Sequence, residues 1–302
     1  MSYDCVIIGG GPAGLNAALV LGRARKKVAI IDNSRPRNGV THASHGFITR
    51  DGIEPSEFRR IAYEEVLRYP TVQHLNVEAT DIQKTENGFT VHTASEELLT
   101  TRKLILAAGL KETLPAIDGV HEFYGKSLFN CPFCDGWELR DQPLAIISDH
   151  PYVFHKIKLL INWTRDLVIC TNGSGVISEE QRQEASSKGI SIIDTPIQSL
   201  SGSDGILERI YFTDGTHLDR SGGFVDPVLT PNIHFAEALG YETSENGAIV
   251  SDAMGRTAAA GVFAAGDSAY VIPSQLIYAA ASGSKAAMSV VAELIEEDWK
   301  DA

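Results

Sequence analysis

The sequence predicts an α/β protein of two doubly wound, Rossmann-like domains, each with three layers, the second inserted in the first. Three observations support this prediction. An apolar stretch at residues 4–8 leads into a glycine-rich turn and an alanine-rich helix. Two further apolar stretches, at 104–109 and 261–267, end in small residues. Between them, strand-like residues 144–147 and 167–170 enclose a helical pattern, which is typical of a second βαβ unit.

The crossings between the two domains are predicted from composition. Pro115, with a loss of periodicity, marks the first crossing, and the paired glycines at 222–223 mark the return. The first domain therefore comprises residues 1–113 and 223–302, and the inserted domain comprises residues 114–222. A chain of 302 residues is long enough to build two cores of ordinary size.

The turn after the first strand is predicted to bind the phosphates of a dinucleotide. Its expected cofactor-lining residues are Gly9, Gly11, Pro12, Ala13 and Gly14. Gly9 permits the tight turn, Gly11 lets the backbone approach a pyrophosphate, and Gly14 allows the helix to pack closely on the strand. The helix N-terminus supplies amides and a positive dipole. A glycine turn that binds no ligand is the alternative.

A second strand at residues 27–31 ends in Asp32, eighteen residues beyond Gly14. A carboxylate at this spacing is well placed to accept hydrogen bonds from a ribose. The combination of glycine turn and acidic residue therefore favours a dinucleotide over a ligand-free turn.

The close-spaced cysteines Cys131 and Cys134 are the expected centre of the chemistry. Two intervening residues allow a small disulfide ring, and a helix that begins there stabilises a thiolate and lowers its pKa. Asp135 then becomes a candidate proton carrier. The alternative is that the two cysteines form half of a zinc knuckle or only pack in the interior. We expect no metal, since Cys5 and Cys170 are isolated in apolar runs and form no second pair.

Composition limits the partners of the chain. The net charge of −13 and the pI near 5.1 disfavour binding to nucleic acid or to an anionic membrane, because phosphates would be repelled. We recognise no secretory leader and no membrane-spanning stretch, which favours the cytoplasm. In that compartment a disulfide is more often catalytic than structural. The expected partners are therefore small molecules or proteins.

The order of these motifs resembles the low-molecular-weight thioredoxin reductase family over nearly the whole chain. The resemblance rests on the glycine-rich turn, on Ala-Ala-Gly at 107–109, on Cys-Pro-Phe-Cys-Asp-Gly at 131–136 and on Gly-Val-Phe-Ala-Ala-Gly-Asp at 261–267. It implies an FAD-dependent oxidoreductase in which the first domain binds FAD and the inserted domain is of the NAD(P)-binding type. It also implies a homodimer formed through the FAD domains.

The resemblance assigns further residues to the flavin site. Those expected near FAD are Asn33, Ala107, Ala108, Gly109, Gly266, Asp267 and Gln275. For Asp267 the alternative is a turn carboxylate, and for Gln275 it is plain helix packing. His42 and His45 lie in a segment that approaches the flavin ring in the family, where His45 is expected to move protons during thiol oxidation. A solvated or capping loop histidine is the alternative.

The inserted domain departs from the family at its nucleotide site. After the strand at 144–147 the chain reads Ser-Asp-His-Pro-Tyr-Val, which contains no glycine, and Asp149 puts negative charge where a pyrophosphate would sit. After the strand at 167–170, Thr-Asn-Gly-Ser stands where the family has an arginine cluster for the 2′-phosphate. We therefore expect that NADPH is not bound in the usual way.

Residues 130–138 are similar to a branch of the family that includes gliotoxin-type dithiol oxidases, which use FAD and pass electrons to oxygen. By this resemblance, Cys131 is the outer sulfur that exchanges with a small dithiol or disulfide, or with a thioredoxin-like protein. Cys134 is the inner sulfur that faces the flavin, and Asp135 is the general acid and base. The branch often has His at the position of Asp135, whereas the reductases have the carboxylate.

Four functions follow from these observations. The first is an FAD-dependent dithiol/disulfide oxidoreductase that does not use NADPH directly, with oxygen, a quinone or a small electron carrier as its redox partner. The second is a thioredoxin reductase with an atypical NADPH loop. The third is an FAD-binding redox sensor without enzymatic activity, and the fourth is a zinc-stabilised binding module. We favour them in that order.

Overall fold

The computed structural model describes residues 2–232, 235–270 and 275–300, and the chain divides into two units. The first unit comprises Met1–Gly39, Gly46–Lys111 and Leu229–Ala302. The second unit comprises Val40–His45 and Glu112–Val228. Each unit has a largely parallel sheet and its own hydrophobic core, which confirms the predicted α/β class with Rossmann-like sheets.

Short strands alternate with helices along most of the chain. The strands are β1 (Ser2–Ile8), β2 (Val28–Ile31), β3 (Val72–Leu75), β4 (Ala79–Thr85), β5 (Gly88–Thr93), β6 (Leu98–Leu106), β7 (Leu110–Thr113), β8 (Leu128–Phe129), β9 (Leu144–Ile147), β10 (Leu167–Cys170), β11 (Ser191–Ile193), β12 (Ile197–Ser203), β13 (Ile206–Phe212), β14 (His217–Asp219), β15 (Gly222–Val225), β16 (Val228–Pro231) and β17 (Val262–Ala264).

The helices range from a single turn to seven turns. They are α1 (Pro12–Arg23), α2 (Pro55–Val66), α3 (Val120–Phe123), α4 (Pro132–Asp135), α5 (Val153–Leu160), α6 (Glu179–Ser187), α7 (Ala236–Leu239) and α8 (Leu276–Lys300). Short 3₁₀ turns stand at Arg37–Val40 and Gly266–Ala269. Of the helices in the described residues, none is both long enough and apolar enough to cross a membrane.

The first unit contains a seven-stranded sheet in the order β3-β2-β1-β6-β5-β4, with β17 also paired to β6. β6 has two neighbours on one side: residues 98–101 pair antiparallel with β5, and residues 104–106 pair parallel with β17. β1 also runs parallel to β2 and to β6. The carboxyl ends of β1, β2, β6 and β17 therefore meet at one edge of the sheet.

Both faces of β1 are buried over residues 5–8, which explains the unbroken apolar sequence of that part of the strand. Cys5 and Ile7 pack into the core that contains α1 and α8, whereas Val6 and Ile8 pack into the core on the other face. α1 and α8 approach so closely that a Cβ atom on Gly283 would lie 1.9 Å from the carbonyl oxygen of Ala13. A glycine is therefore required at that contact.

The second unit contains a five-stranded parallel sheet in the order β11-β10-β9-β15-β8. A separate antiparallel sheet is formed by β12, β13 and β14. The strands β9 and β10 match the sequence-based bounds 144–147 and 167–170. The glycine-free segment and the Thr-Asn-Gly-Ser segment thus follow the carboxyl ends of adjacent strands.

The paired glycines Gly222 and Gly223 lie within the buried strand β15, whereas the sequence analysis interprets them as the return crossing. A Cβ atom on Gly223 would lie 1.9 Å from the carbonyl oxygen of Ala145 on β9, so close packing of central strands explains the glycine there. The unit consequently extends to Val228, and it also includes Val40–His45, which the sequence-based boundaries assign to the first domain.

Candidate functional site

The predicted cofactor residues of the first unit converge at the carboxyl edge of its sheet. The glycine turn follows β1, Asp32 follows β2, Ala107 follows β6 and Gly266 follows β17 by one intervening residue. In open α/β sheets, ligands bind in the crevice outside the carboxyl ends of the strands. The topology therefore brings together segments that lie far apart in the sequence.

The three key glycines of the turn have different reasons to lack a side chain. Gly9 has φ +110°, and a Cβ atom there would lie 2.3 Å from the carbonyl oxygen of Ala107. A Cβ atom on Gly14 would lie 1.8 Å from the carbonyl oxygen of Gly9. Gly11 has φ −78°, and a Cβ atom there would meet no protein atom within 4 Å. Neither strain nor packing within the described residues explains Gly11, whereas close approach of a ligand does.

The first turn of α1 carries the other two residues predicted from this motif. Pro12 stands in the first turn, where its missing N–H is not needed and its fixed φ suits the helix. Ala13 is buried, and its carbonyl group faces Gly283 of α8. Asn16 ties the same two helices by donating from Nδ2 to the carbonyl oxygen of Ala280 at 2.9 Å. The helix whose N-terminus is predicted to face a phosphate is thus tied to α8.

Asp32 is half-buried and is held by two residues of α2. Arg59 Nη2 donates to its Oδ2 at 2.6 Å, and Tyr63 Oη donates to the same oxygen at 2.9 Å. Burial alone would raise the pKa of Asp32, but the hydrogen bond and positive charge of Arg59 outweigh it, and the pKa is lowered. Asp32 is therefore ionised at neutral pH and remains a hydrogen-bond acceptor. The next residue, Asn33, accepts from the Arg35 N–H at 3.2 Å through its Oδ1.

The segments after β6 and β17 are joined by hydrogen bonds. The Gly109 N–H donates to Ser268 Oγ at 2.9 Å, and Asn232 Nδ2 donates to the carbonyl oxygen of Ala108 at 3.3 Å. Gly109 has φ +70°, and a Cβ atom there would meet nothing within 4 Å. Like Gly11, it therefore borders open space at the carboxyl edge of the sheet.

Asp267 lies in the 3₁₀ turn after β17 and forms an ion pair with Arg37, whose Nη2 is 3.1 Å from its Oδ2. The preceding Gly266 has φ +68°, and its N–H donates to Ser282 Oγ of α8 at 2.7 Å. The start of the turn is thus tied to α8, and the Asp267 carboxylate is held by Arg37.

Gln275 lies immediately before α8, against Gly46. A Cβ atom on Gly46 would lie 3.0 Å from Gln275 Nε2, and Gly46 has φ +77°. The amide side chain therefore packs on the backbone that follows His45. The predicted long helix begins at the next residue, Leu276.

The residues present fit an FAD molecule. Two glycines, Gly11 and Gly109, border open space at the edge where the strands end, and the fixed acceptor Asp32 and the amides of the first turn of α1 stand beside it. A pyrophosphate suits the helix N-terminus, and a ribose suits the carboxylate.

The predicted redox pair is a disulfide between Cys131 and Cys134, with Cα atoms 5.3 Å apart, in the second unit. It follows β8 and spans the single-turn helix α4, where the Cys134 N–H donates to the Cys131 carbonyl oxygen at 3.1 Å. Gly136 is required behind it, because a Cβ atom there would lie 2.5 Å from the Pro132 carbonyl oxygen and 2.8 Å from the Trp163 ring. Both cysteines are half-buried and thus partly accessible.

Asn130, which precedes the disulfide, is anchored from β7. Its Nδ2 donates to Glu112 Oε1 at 2.7 Å, while Tyr124 Oη donates to Glu112 Oε2 at 2.7 Å. The Glu112 carboxylate thus holds the residue that precedes the disulfide turn.

Asp135 has the properties of a proton carrier at neutral pH. It is only 8% exposed. Burial, with a smaller contribution from the negative charge of Glu138, raises the pKa of Asp135 to about 7. The carboxyl group therefore exists in both protonation states near pH 7, as a general acid and base requires.

His45 is linked to the same cluster. Its Nε2 lies 3.6 Å from Glu138 Oε1, and Glu138 follows Asp135 by three residues. The disulfide, Asp135, Glu138 and His45 all belong to the second unit. His42 is exposed, and no contact with the disulfide turn is recorded for it among the described residues.

The sequence analysis did not identify Arg59, Tyr63 or Glu138. Arg59 and Tyr63 stand four residues apart on α2, which places them on one helix face, but this spacing alone does not name Asp32 as their partner. Glu138 stands three residues after Asp135, a spacing that a search for charged neighbours of the motif would have found.

In the segment after β9, backbone N–H groups donate hydrogen bonds to acceptors within the same segment. The His150 N–H donates to Ser148 Oγ at 3.2 Å, the Tyr152 N–H donates to His150 Nδ1 at 3.2 Å, and the Val153 N–H donates to the His150 carbonyl oxygen at 3.0 Å. These are the N–H groups that a phosphate at the start of α5 would need.

The segment after β10 is also internally paired. Arg182 Nη2 lies 2.6 Å from Asp194 Oδ2, and Thr171 Oγ1 donates to Asp194 Oδ1 at 2.7 Å. Lys156 of α5 forms an ion pair with Asp226, which follows β15. Arg182 and Lys156 are thus each paired with a carboxylate.

No cluster of three or more His, Cys, Asp or Glu side chains suited to a metal ion is found in the described part of the chain. Cys5 and Cys170 are buried thiols, and burial raises the pKa of both. They are therefore poor nucleophiles, whereas the Cys131–Cys134 disulfide is partly accessible.

Comparisons with known proteins agree with this geometry. Residues 3–283 match the sequence profile of the family described as pyridine nucleotide-disulphide oxidoreductase. Thioredoxin reductase aclD of Aspergillus oryzae is 33% identical over 97% of this chain and 96% of that protein. The crystal structure of TrxB from Bacillus anthracis is 45% identical, covers 98% of this chain and 99% of its own, and has a TM-score of 0.94. The crystal structure of HlmI is 33% identical, covers 99% of this chain and 95% of its own, and has a TM-score of 0.93.

Proposed function

Because the chain belongs to the pyridine nucleotide-disulphide oxidoreductase family, we propose that it is an FAD-dependent thiol/disulfide oxidoreductase that works without direct use of NADPH. Electrons pass between the Cys131–Cys134 disulfide and a dithiol or disulfide substrate. The observation that carries this proposal is the accessible disulfide beside a buried carboxyl group whose pKa is raised to about 7.

Each residue of the disulfide turn has a distinct role in this proposal. A substrate thiolate attacks Cys131, a mixed disulfide forms, and Cys134 leaves as the thiolate. The second substrate thiol then gives its proton to Asp135 and attacks the substrate sulfur of the mixed disulfide. The bond to Cys131 breaks, Cys131 leaves as the thiolate, and the substrate departs as a disulfide. Glu138 raises the pKa of Asp135 through its negative charge, and His45, which lies 3.6 Å from Glu138, is proposed to move protons during thiol oxidation. FAD, when bound, supplies two-electron redox chemistry that reoxidises the cysteine pair.

The cofactor-binding residues in this proposal are those at the carboxyl edge of the first sheet. Gly9, Gly11 and the first turn of α1 receive the pyrophosphate, and Asp32 and Asn33 lie on the ribose side. The remainder of the FAD site is lined by the segment at 107–109, the turn at 266–267 and Gln275. The open space at Gly11 and Gly109 supports this assignment.

Independence from NADPH is supported by the second unit. The amides at the start of α5 donate to Ser148 and His150, and Asp149 adds negative charge there. The Thr-Asn-Gly-Ser segment at 171–174, where a 2′-phosphate would need a cation, contains none, and Arg182 on α6 is paired with Asp194. A nucleotide would have to break these hydrogen bonds and this ion pair before it gained its own.

The proposed substrates are a small dithiol or disulfide, or a thioredoxin-like protein, and the proposed electron acceptor is oxygen or a small electron carrier. We place the chain in the cytoplasm, where a close-spaced disulfide such as Cys131–Cys134 is more often catalytic than structural.

We propose a homodimer. Seven exposed residues on α8 alternate at three and four positions and form one stripe on the side opposite the core: Tyr278, Ala281, Lys285, Met288, Ala292, Ile295 and Trp299. Six are apolar, and Trp299 is 81% exposed. Such spacing is typical of a helix that packs on another helix, and sedimentation of the purified chain measures the dimer directly.

A second candidate function is an NADPH-dependent thioredoxin reductase. The name of the Aspergillus oryzae relative favours it, since that protein is a thioredoxin reductase similar over nearly its whole length. The two candidates share FAD and the disulfide. They differ in the direction of electron flow: from a dithiol to oxygen or a carrier in the first, and from NADPH to a disulfide in the second.

Dithiol-dependent oxygen uptake tests the first candidate. With dithiothreitol as substrate, we expect the purified chain loaded with FAD to consume one oxygen molecule per dithiol and to release hydrogen peroxide, since two electrons and two protons leave each dithiol. Addition of catalase then returns half of the oxygen. Free FAD at the same concentration is the control, and an uptake rate equal to that control would contradict oxygen as the acceptor.

A further inference from the structure

The contacts of α2 reach two separate parts of the proposed FAD site. Arg59 Nη2 holds Asp32, which follows β2, and Arg59 Nη1 donates to the carbonyl oxygen of Gly10 at 2.7 Å. Gly10 belongs to the turn after β1. One planar guanidinium thus bridges the phosphate-side turn and the ribose-side carboxylate, a geometry that an ammonium group cannot reproduce.

Tyr63 completes the arrangement. A Cβ atom on Gly10 would lie 2.0 Å from Tyr63 Oη, so the phenol lies directly against that glycine. The His74 ring of β3 packs on Tyr63, with 4.4 Å between the ring centres. Arg59 and Asp32 are each little exposed, with 13% and 11% of their side-chain surfaces accessible. The bridge is therefore built into the fold, unlike a surface ion pair that solvent can replace.

We infer that Arg59 is a positioning residue for the ADP half of the cofactor, which holds the Gly10 carbonyl and the Asp32 carboxylate in the arrangement that receives pyrophosphate and ribose. The inference rests on the proposed binding of FAD. Two effects give Arg59 this role. It joins the Gly10 carbonyl group to the Asp32 carboxylate through one rigid group, beside the contact that Tyr63 makes with both residues. It also offsets the negative charge of Asp32, which would otherwise repel a pyrophosphate.

The test uses the full-length chain stripped of flavin, with FAD and ADP as separate ligands. Arg59→Met removes the charge and both hydrogen bonds. We expect about a ten- to hundredfold weaker Kd for FAD and the same fold-loss for ADP, because hydrogen bonds to charged groups are lost in both. Arg59→Lys keeps the charge but not the bridge and is expected to fall between wild type and Arg59→Met.

Arg60→Met is the matched control. Arg60 is the next residue on the same helix, but it is exposed and its partners are Glu57 and Glu64 on the surface. We expect FAD binding within about twofold of wild type, since exposed ion pairs contribute little. If Arg59→Met does not fold, Tyr63→Phe removes one hydrogen bond to Asp32 and is expected to weaken FAD and ADP equally, by a few-fold.

Three results would overturn the inference. The first is an FAD affinity of Arg59→Met equal to that of wild type. The second is a loss of affinity for FAD without a loss of affinity for ADP, because the effect of Arg59 would then lie outside the ADP half of the cofactor. The third is an equal loss in Arg60→Met. If instead wild type binds no FAD at all, the proposed function fails, and that result is distinct from these three.

Discussion

Replacement of either Cys131 or Cys134 by serine is expected to reduce dithiol oxidation on the order of a thousandfold or more, because the exchange has no other sulfur to proceed through. The remaining cysteines, Cys5 and Cys170, are buried in strands β1 and β10 and cannot take over. The measurement is oxygen uptake or substrate disulfide formed, with FAD content checked in each variant.

The two cysteine variants are also expected to differ from each other. In Cys134→Ser the outer thiol is still present, so the variant should form a stable mixed disulfide with an aromatic disulfide reagent. In Cys131→Ser the same adduct should form much more slowly. Cys170→Ala is the matched control and should keep wild-type turnover. Equal turnover in Cys131→Ser and wild type would remove the disulfide from the mechanism.

Asp135→Asn is expected to have the second-largest effect, because it removes the proton carrier while keeping the shape of the side chain. Turnover should fall about a hundred- to ten-thousandfold, the usual range for loss of a general acid or base. The wild-type rate should depend on pH around 7, where the pKa of Asp135 lies, and the residual rate of the variant should lose that dependence.

The same substitution has a consequence for stability that does not require activity. Between the ordinary pKa of an aspartic acid and about 7, the folded chain keeps a proton that the unfolded chain has lost, so the free energy of unfolding falls as pH rises through this window. Asp135→Asn has no such penalty. At pH 8 it should therefore gain up to about 4 kcal/mol relative to wild type, a gain that is absent below about pH 4.

Chemical denaturation of the oxidised proteins at both pH values measures this difference. Asp141→Asn is a suitable control, because Asp141 is exposed and has φ +60°, which Asn tolerates. It should leave the pH dependence unchanged. A stability difference between wild type and Asp135→Asn that is the same at pH 4 and pH 8 would mean that the carboxyl group is not buried as described.

Local sequence patterns were sufficient for the parts of the fold that depend on neighbours in the chain. The apolar runs at β9 and β10 correspond to the predicted strands because strands buried on both faces need unbroken apolar sequence. The disulfide turn was equally predictable, since its chemistry is contained in six consecutive residues.

Features that depend on distant contacts were not predictable in the same way. Gly223 is required by the backbone of Ala145 in a neighbouring strand, so its sequence suggested a crossing where the structure has a buried strand. Arg59 is 27 residues from Asp32, and His45 is 93 residues from Glu138, and nothing local in either pair names the partner. Only the folded sheet brings such residues together.

The most direct test of the central claim is flavin reduction without oxygen. The purified FAD-loaded chain is mixed anaerobically with NADPH and, separately, with dithiothreitol, and the visible flavin absorbance is followed. The proposed function predicts bleaching by the dithiol and none by NADPH, because the N–H groups of His150, Tyr152 and Val153 already have partners. Rapid bleaching by NADPH would contradict it and would show an NADPH-dependent reductase instead.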